Sequence, residues 1–227
     1  YAMRYQLALV FAVFIASAAA GAVLASSYPE LASLFLPEDA INDVESGKLW
    51  TDSALNIVPG AYLSIRLFAN NIVVACTAAV LGVIFGLGTF YIITLNGLML
   101  GGVYAFTAGH GLGLRLFEWL IAHGPVELTT ICLAGAAGIS LGEALIRPHL
   151  GTRLASFQAA VIGAAKYLAL CVLLLIVCGL IEGNVSTNPR IALAVRAVIG
   201  IGYWLVAMAI VTGLFWRKSR LKPVAAP

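Results

Sequence analysis

From Pro125 to Ile146 the chain runs almost without charge, broken only by Glu127 near its start and Glu143 near its end. A stretch of about 20 apolar residues is what a helix needs to cross a bilayer. A backbone in lipid must satisfy its own hydrogen bonds, which leaves helices or closed barrels. Several such runs occur here, and they are continuous rather than alternating, so an all-α, polytopic membrane helix bundle is expected. Composition agrees. Hydrophobic residues make up 62% of the chain, charged residues 10%, and the mean hydropathy is +1.01. Soluble domains carry about a quarter charged residues. A net charge of +3 is too small to suggest nucleic acid as a partner.

Six spans can be drawn: Tyr5–Ser26, Asn71–Leu95, Leu98–Ala108, Pro125–Ile146, Tyr167–Ile181 and Ile191–Trp216. The first is too long for a signal core and is expected to be a retained helix. Asn96-Gly97, a turn dipeptide, separates the second span from the third. Loop charge orients the threading. Glu30, Glu38, Asp39, Asp43, Glu45 and Asp52 against Lys48 place the 27–69 loop outside. Arg147, Arg153 and Lys166, in and just after the 147–165 connection, then fall inside. So do Arg4 and the 217–227 tail with Arg217, Lys218, Arg220 and Lys222. The whole chain reads as one transmembrane domain with both termini cytoplasmic.

The outer loop has helical grammar. Pro37 with Glu38 and Asp39 begins a short helix that Gly47 ends. Pro59-Gly60 is a turn, and Ala61–Asn70 is expected to lie along the outer interface. Arg115–Ala122 is expected to form a second interfacial helix, and Thr152–Ala165 an inner one. Cys76, Cys132, Cys171 and Cys178 all sit in apolar spans without CxxC spacing and read as packing residues.

Small residues recur at helix spacing. Gly82 and Gly86 are four apart, and Ala134, Gly138 and Gly142 lie on one stripe of the fourth span. Such stripes let membrane helices approach closely. At 100° per residue His123, Glu127, Ala134 and Gly138 share a face. Costly polar residues gather at the outer edge: Arg66, Asn70, Asn71, His123, Glu127, Glu182 and Arg196. Ionisable groups there pair or serve a function. Glu127 and Glu182 are expected to approach each other beside His123, with Arg196 or Arg66 as counter-charge. Glu143 has Lys166 as its candidate partner. Three readings stand side by side: structural ion pairs, an ion or proton pathway, and a catalytic or metal site. His123 and Glu127 count as only two ligands, and no HExxH, GxSxG or P-loop pattern accompanies them. No catalytic residue, metal or cofactor is therefore assigned.

Three blocks carry a resemblance. They are Asn70-Asn-Ile-Val-Val with Leu-Gly-Val-Ile-Phe-Gly-Leu-Gly-Thr-Phe-Tyr and Leu-Asn-Gly-Leu-Met-Leu-Gly, then His123-Gly-Pro-Val-Glu-Leu-Thr with Ala-Gly-Ala-Ala-Gly, then Gly179-Leu-Ile-Glu-Gly. In this order, from about Pro59 to Ser186, they resemble the stage II sporulation protein M family of bacterial integral membrane proteins. The resemblance implies the bacterial cytoplasmic membrane as location. It also implies a scaffold or regulator of peptidoglycan-remodelling enzymes with no chemistry of its own. Its expected partners are the lipid bilayer, other membrane or envelope proteins, and a second copy of the chain. A small-solute or ion transporter using the outer carboxylates is the alternative, and an intramembrane enzyme around His123 and Glu127 the third reading.

Overall fold

The computed structural model describes residues 3–51 and 60–212, with side chains in the second stretch described from residue 69 onward. Every regular element among them is helical. In chain order they are α1 (Arg4–Ser27), a 3-10 segment (Pro29–Leu34), α2 (Glu38–Glu45), α3 (Gly60–Val80), a 3-10 turn (Leu81–Val83), α4 (Leu87–Gly109), α5 (Gly113–Leu120), α6 (Gly124–Ile146), α7 (Arg153–Ile181), a π turn (Glu182–Ser186) and α8 (Leu193–Val211). Among the described residues, five helices are long and apolar enough to cross a membrane: α1, α4, α6, α7 and α8. Among the residues with described side chains, α3 and its 3-10 turn contribute the apolar segment Ala69–Val83, and α3 as a whole runs over Gly60–Val80.

Several boundaries differ from those expected. The chain reverses at Ile84–Gly86, not at Asn96-Gly97. Phe85 and Gly86 both take positive φ, 51° and 82°, and the left-handed step at Gly86 turns the backbone into α4. Asn96 instead lies within α4, where its side-chain amide donates to the Ile92 carbonyl at 2.8 Å. That bond satisfies it locally without breaking the helix. Residues 61–70 are not a separate interfacial helix, because α3 continues unbroken through them. The inner amphipathic segment and the fifth span are likewise one helix. It starts where the Thr152 hydroxyl accepts from the Ala155 amide at 3.1 Å. In the outer segment α2 ends at Glu45, with Gly47 at φ 78° just beyond. Asp52, Pro59 and the tail after residue 212, with Trp216 and its basic cluster, lie outside the described residues.

α6 is the axis of the bundle, with most of its residues buried. Without a hydrophobic force between helices in lipid, close packing must hold them together. On one side it meets the α3–α4 hairpin backbone to backbone. A Cβ on Gly82 would strike the Gly138 backbone, and one on Gly142 would strike the carbonyl carbon of Phe85 at 2.6 Å and the Gly82 carbonyl oxygen at 2.9 Å. A Cβ on Gly138 would lie 2.5 Å from the Ala78 carbonyl oxygen, and one on Gly86 would lie 3.3 Å from Ile139 Cδ1. On another side Leu133 and fully buried Ala134 pack with Ala75, Cys171 and Leu175. α1 and α4 run side by side in the same direction: Gly97 lies against Phe14 and Ser17, and Gly101 against Ala18. The four cysteines are free thiols.

At the end where α6 begins, the short helices form a cap with its own core. Ala32, Leu36, Ala40, Val44 and Leu49 pack on Ala25 of α1, Phe106 of α4 and Leu116 of α5. This cap holds α5 across the bundle end and delivers the chain to His123.

Candidate functional site

α5 stops at Leu120, and His123 is the residue that starts α6. Its carbonyl accepts from the amides of Val126 and Glu127, both at 3.1 Å, while Pro125 occupies the first turn. One turn on, Glu127 projects to the same side, with its Oε2 3.9 Å from His123 Nε2. α7 runs back alongside α6 and ends in the π turn Glu182–Ser186. That turn brings Glu182 Oε1 to 3.8 Å from His123 Nε2 and Ser186 Oγ to 2.9 Å from His123 Nδ1. The indole of Trp119, from α5, meets the imidazole edge-on at 4.9 Å between centroids. His123 and Glu182 are 1% and 3% exposed, and the Glu127 side chain is 18% exposed.

Two regions distant in sequence, the start of α6 and the π turn after α7, thus converge. One nitrogen of His123 and one carboxylate oxygen each of Glu127 and Glu182 lie within 4.8 Å of one another. Burial lowers the His123 pKa to about 3, so the imidazole is neutral. In the tautomer whose Nδ1–H donates to the Ser186 hydroxyl, Nε2 is free to act as an electron-pair donor. The sequence counted two ligands here, His123 and Glu127. The fold adds Glu182, so the set can hold a metal ion.

The remaining polar residues divide. Asn71 is a side-chain hydrogen-bonding neighbour of Glu127. Asn70 is exposed, and its amide reaches Asn71 Oδ1 at 3.4 Å. Arg66 falls on α3, but its side chain lies outside the described residues. Arg196 is not the counter-charge expected for the two acids. Its guanidinium donates to the carbonyls of Glu118 at 3.3 Å and Asn188 at 2.8 Å. Glu118 lies in the last turn of α5, where free carbonyls and the helix dipole attract a cation. Glu143 accepts from Gln6 Nε2 at 2.6 Å in place of the expected Lys166.

Two cavities border the cluster. One of about 720 Å³ is lined by Arg115, Trp119, Gly183, Ser186 and Arg196 among others. The other, of about 400 Å³, is apolar and is walled by Ala18, Gly101, Tyr104 and Leu120, with Glu127 at its edge. Sequence reasoning missed Trp119 and Ser186. Ser186 follows Glu182 by four residues, a spacing that could have flagged it.

The Stage II sporulation protein M family model matches residues 10–187. That interval runs from within α1 to the end of the π turn and contains all three members of the cluster. Neither a curated protein nor a solved structure matches the chain. With most of its length matched, and with helices suited to a membrane, the chain is a membrane protein that belongs to the stage II sporulation protein M family.

Proposed function

We propose that the chain is a multi-pass protein of the bacterial cytoplasmic membrane, and that it serves as a scaffold or regulator for peptidoglycan-remodelling proteins. The observation that carries this reading is the cap. The segment between α1 and α3 packs a hydrophobic core of its own onto the bundle end, while Glu30, Glu38, Asp39 and Glu45 remain exposed on it. A fixed, acid-bearing surface suits recognition by a basic partner surface, because complementary charge steers docking and sets its orientation. The bundle beneath is well suited to hold that surface still. Where α6 meets the α3–α4 hairpin, the backbones touch and leave no room for side chains.

In this reading α3 also crosses the membrane, giving six crossings with both termini cytoplasmic. The parallel run of α1 and α4 supports it, since α3 must then return between them. The positions of Arg4, Arg147 and Arg153, at the end of the bundle away from the cap, satisfy the positive-inside rule. A second reading, ion passage or intramembrane chemistry, is favoured by the convergence of Glu127 and Glu182 on His123.

Charge reversal at Glu38, Asp39 and Glu45 tests the scaffold reading. The variant is expected to reach the membrane folded but to lose co-purification of peptidoglycan-cleaving enzymes. A single cysteine at Ser46 should label from outside intact cells, and one at Ser219 only after lysis. Unchanged co-purification and unchanged wall phenotype, together with loss of phenotype in Glu182→Gln, would favour the second reading.

A further inference from the structure

His123 Nε2 stands 3.9 Å from Glu127 Oε2 and 3.8 Å from Glu182 Oε1. These separations are too long for hydrogen bonds, which lie at 2.7–3.2 Å. The Glu182 carboxylate is turned toward the imidazole, and the residue is 3% exposed. Two carboxylates turned toward one imidazole at low exposure are costly unless an opposite charge joins them. Two atoms bound to one ion at about 2.1 Å, with a roughly tetrahedral angle, lie about 3.4 Å apart. The two gaps to Nε2 exceed that by about half an ångström and all three atoms lie within 4.8 Å of one another, so side-chain shifts of about 1 Å would close the shell.

The surroundings fit the same chemistry. Ser186 Oγ, 2.9 Å from Nδ1, can accept a proton on that nitrogen, and in that tautomer the Nε2 lone pair faces the carboxylates. Metal-binding histidines are oriented by such outer contacts. The Trp119 ring holds the imidazole from a further side. Glu182 and Ser186 both belong to a π turn, a local widening often found at functional sites.

We propose that His123, Glu127 and Glu182 bind one divalent transition-metal ion of the zinc or manganese kind, through His123 Nε2 and one oxygen of each carboxylate. A dication opposite two carboxylates and a neutral imidazole leaves the site uncharged overall, which removes the cost of two acids in a poorly solvated place. One imidazole and two carboxylates suit zinc and manganese better than the soft-ligand metals. Three protein ligands leave a position open for water or an anionic group, as in catalytic zinc sites. Gly183 and Ser186, neighbours of Glu182 and His123, line the 720 Å³ cavity. The ion would also tie the start of α6 to the end of α7. This site goes beyond the scaffold reading and does not depend on it.

The test uses the full chain, purified in detergent without a histidine tag, stripped with chelator and titrated with Co²⁺. Wild type is expected to bind one Co²⁺ per chain with visible d–d absorption, to release it to Zn²⁺, and to melt at a higher temperature when loaded. Glu182→Gln and His123→Ala should weaken binding at least about 100-fold, and Ser186→Ala about tenfold, within the range of outer-contact losses. His110→Ala and His149→Ala should change nothing. Circular dichroism and gel filtration check that the variants are folded. If the ligand variants fail to fold, the wild-type titration decides alone. Absence of Co²⁺ absorption and of any melting shift in wild type would overturn the proposal. So would full binding retained in folded Glu182→Gln and His123→Ala. Collapse of Arg66→Met, with chelator and metal both without effect on wild type, would also overturn it and make Arg66 the counter-charge.

Discussion

The two ends of α6 solve opposite problems. Toward its finish, Gly138 and Gly142 remove side chains so that the backbone can touch the α3–α4 hairpin. At its start, His123 and Glu127 extend side chains toward Glu182 and leave a gap between their polar atoms. The first arrangement has no tolerance for added volume. The second has volume but an unbalanced set of donors and acceptors. Stability at the first end depends on shape, and at the second on charge and ligand. Substitutions at the two ends should therefore fail for different reasons, and adding metal should matter at one end only.

The largest effect is expected at the crowded end. Gly138→Leu would drive a side chain into the Ala78 carbonyl, 2.5 Å from the new Cβ, and toward Ala79 Cα at 3.1 Å. Both neighbours are backbone on another helix and cannot rotate away. Overpacking of this kind costs about 1–3 kcal/mol and sometimes more, and Gly138→Leu should lie at or above the top of that range. Thermal melting in detergent, with and without added Zn²⁺, measures it. A melting point equal to wild type would mean that the hairpin does not touch α6 there.

How much of each end could be read in advance follows from these geometries. The small-residue stripe of Ala134, Gly138 and Gly142 was legible because helical spacing alone places it on one face. What it packs against was less so, since Gly82 and Gly86 lie in and beside a turn rather than inside a span. At the other end the His123–Glu127 spacing was legible for the same helical reason, and the approach of Glu182 followed from charge economy at a membrane edge. The π turn was not legible, because one extra residue per turn leaves no periodic mark over five residues. Arg196 was assigned to the acids because sequence shows side chains and hides backbone carbonyls. The Glu118 and Asn188 carbonyls that hold it emerge only once α5 and the chain before α8 are in place.

Arg196 supplies the next largest effect, at the cluster end but outside the cluster. Arg196→Met removes two charge-assisted bonds, one to the helix-end carbonyl of Glu118 and one to the Asn188 carbonyl, which keeps its bond from the Ile191 amide. Bonds to charged groups are worth about 1.5–3 kcal/mol, and Arg196 is only partly buried, so a loss of about 1.5 kcal/mol is expected. The Co²⁺ affinity of the variant should stay within about threefold of wild type. A large drop in affinity would show that Arg196 does work through the acids after all. At the crowded end, Thr89→Val gives a smaller loss. Its fully buried hydroxyl donates to the Ala78 carbonyl at 2.6 Å. With the carbonyl still in its own helix, about 1 kcal/mol is expected, measured by the same melts.

The smallest effect tests where the α3–α4 reversal lies. If the chain turned at Asn96-Gly97, Asn96 would be a turn residue whose side chain shapes the backbone, and Leu there would be harmful. In the structure Asn96 is one residue of a continuous helix, and its side chain does no more than fold back on the Ile92 carbonyl. Asn96→Leu then trades a local bond of little net worth for better helix propensity and apolar surface in a membrane. The change should stay within about 0.5 kcal/mol. The adjacent Gly97→Ala is the contrast that gives the result meaning. Its Cβ would meet the Phe14 carbonyl oxygen at 2.6 Å and Ser17 Cβ at 2.7 Å, so α1 and α4 would have to separate. A costly Asn96→Leu beside a harmless Gly97→Ala would place the turn back at this dipeptide. A harmless Asn96→Leu beside a costly Gly97→Ala leaves the reversal at Phe85 and Gly86, where it sets the hairpin against α6.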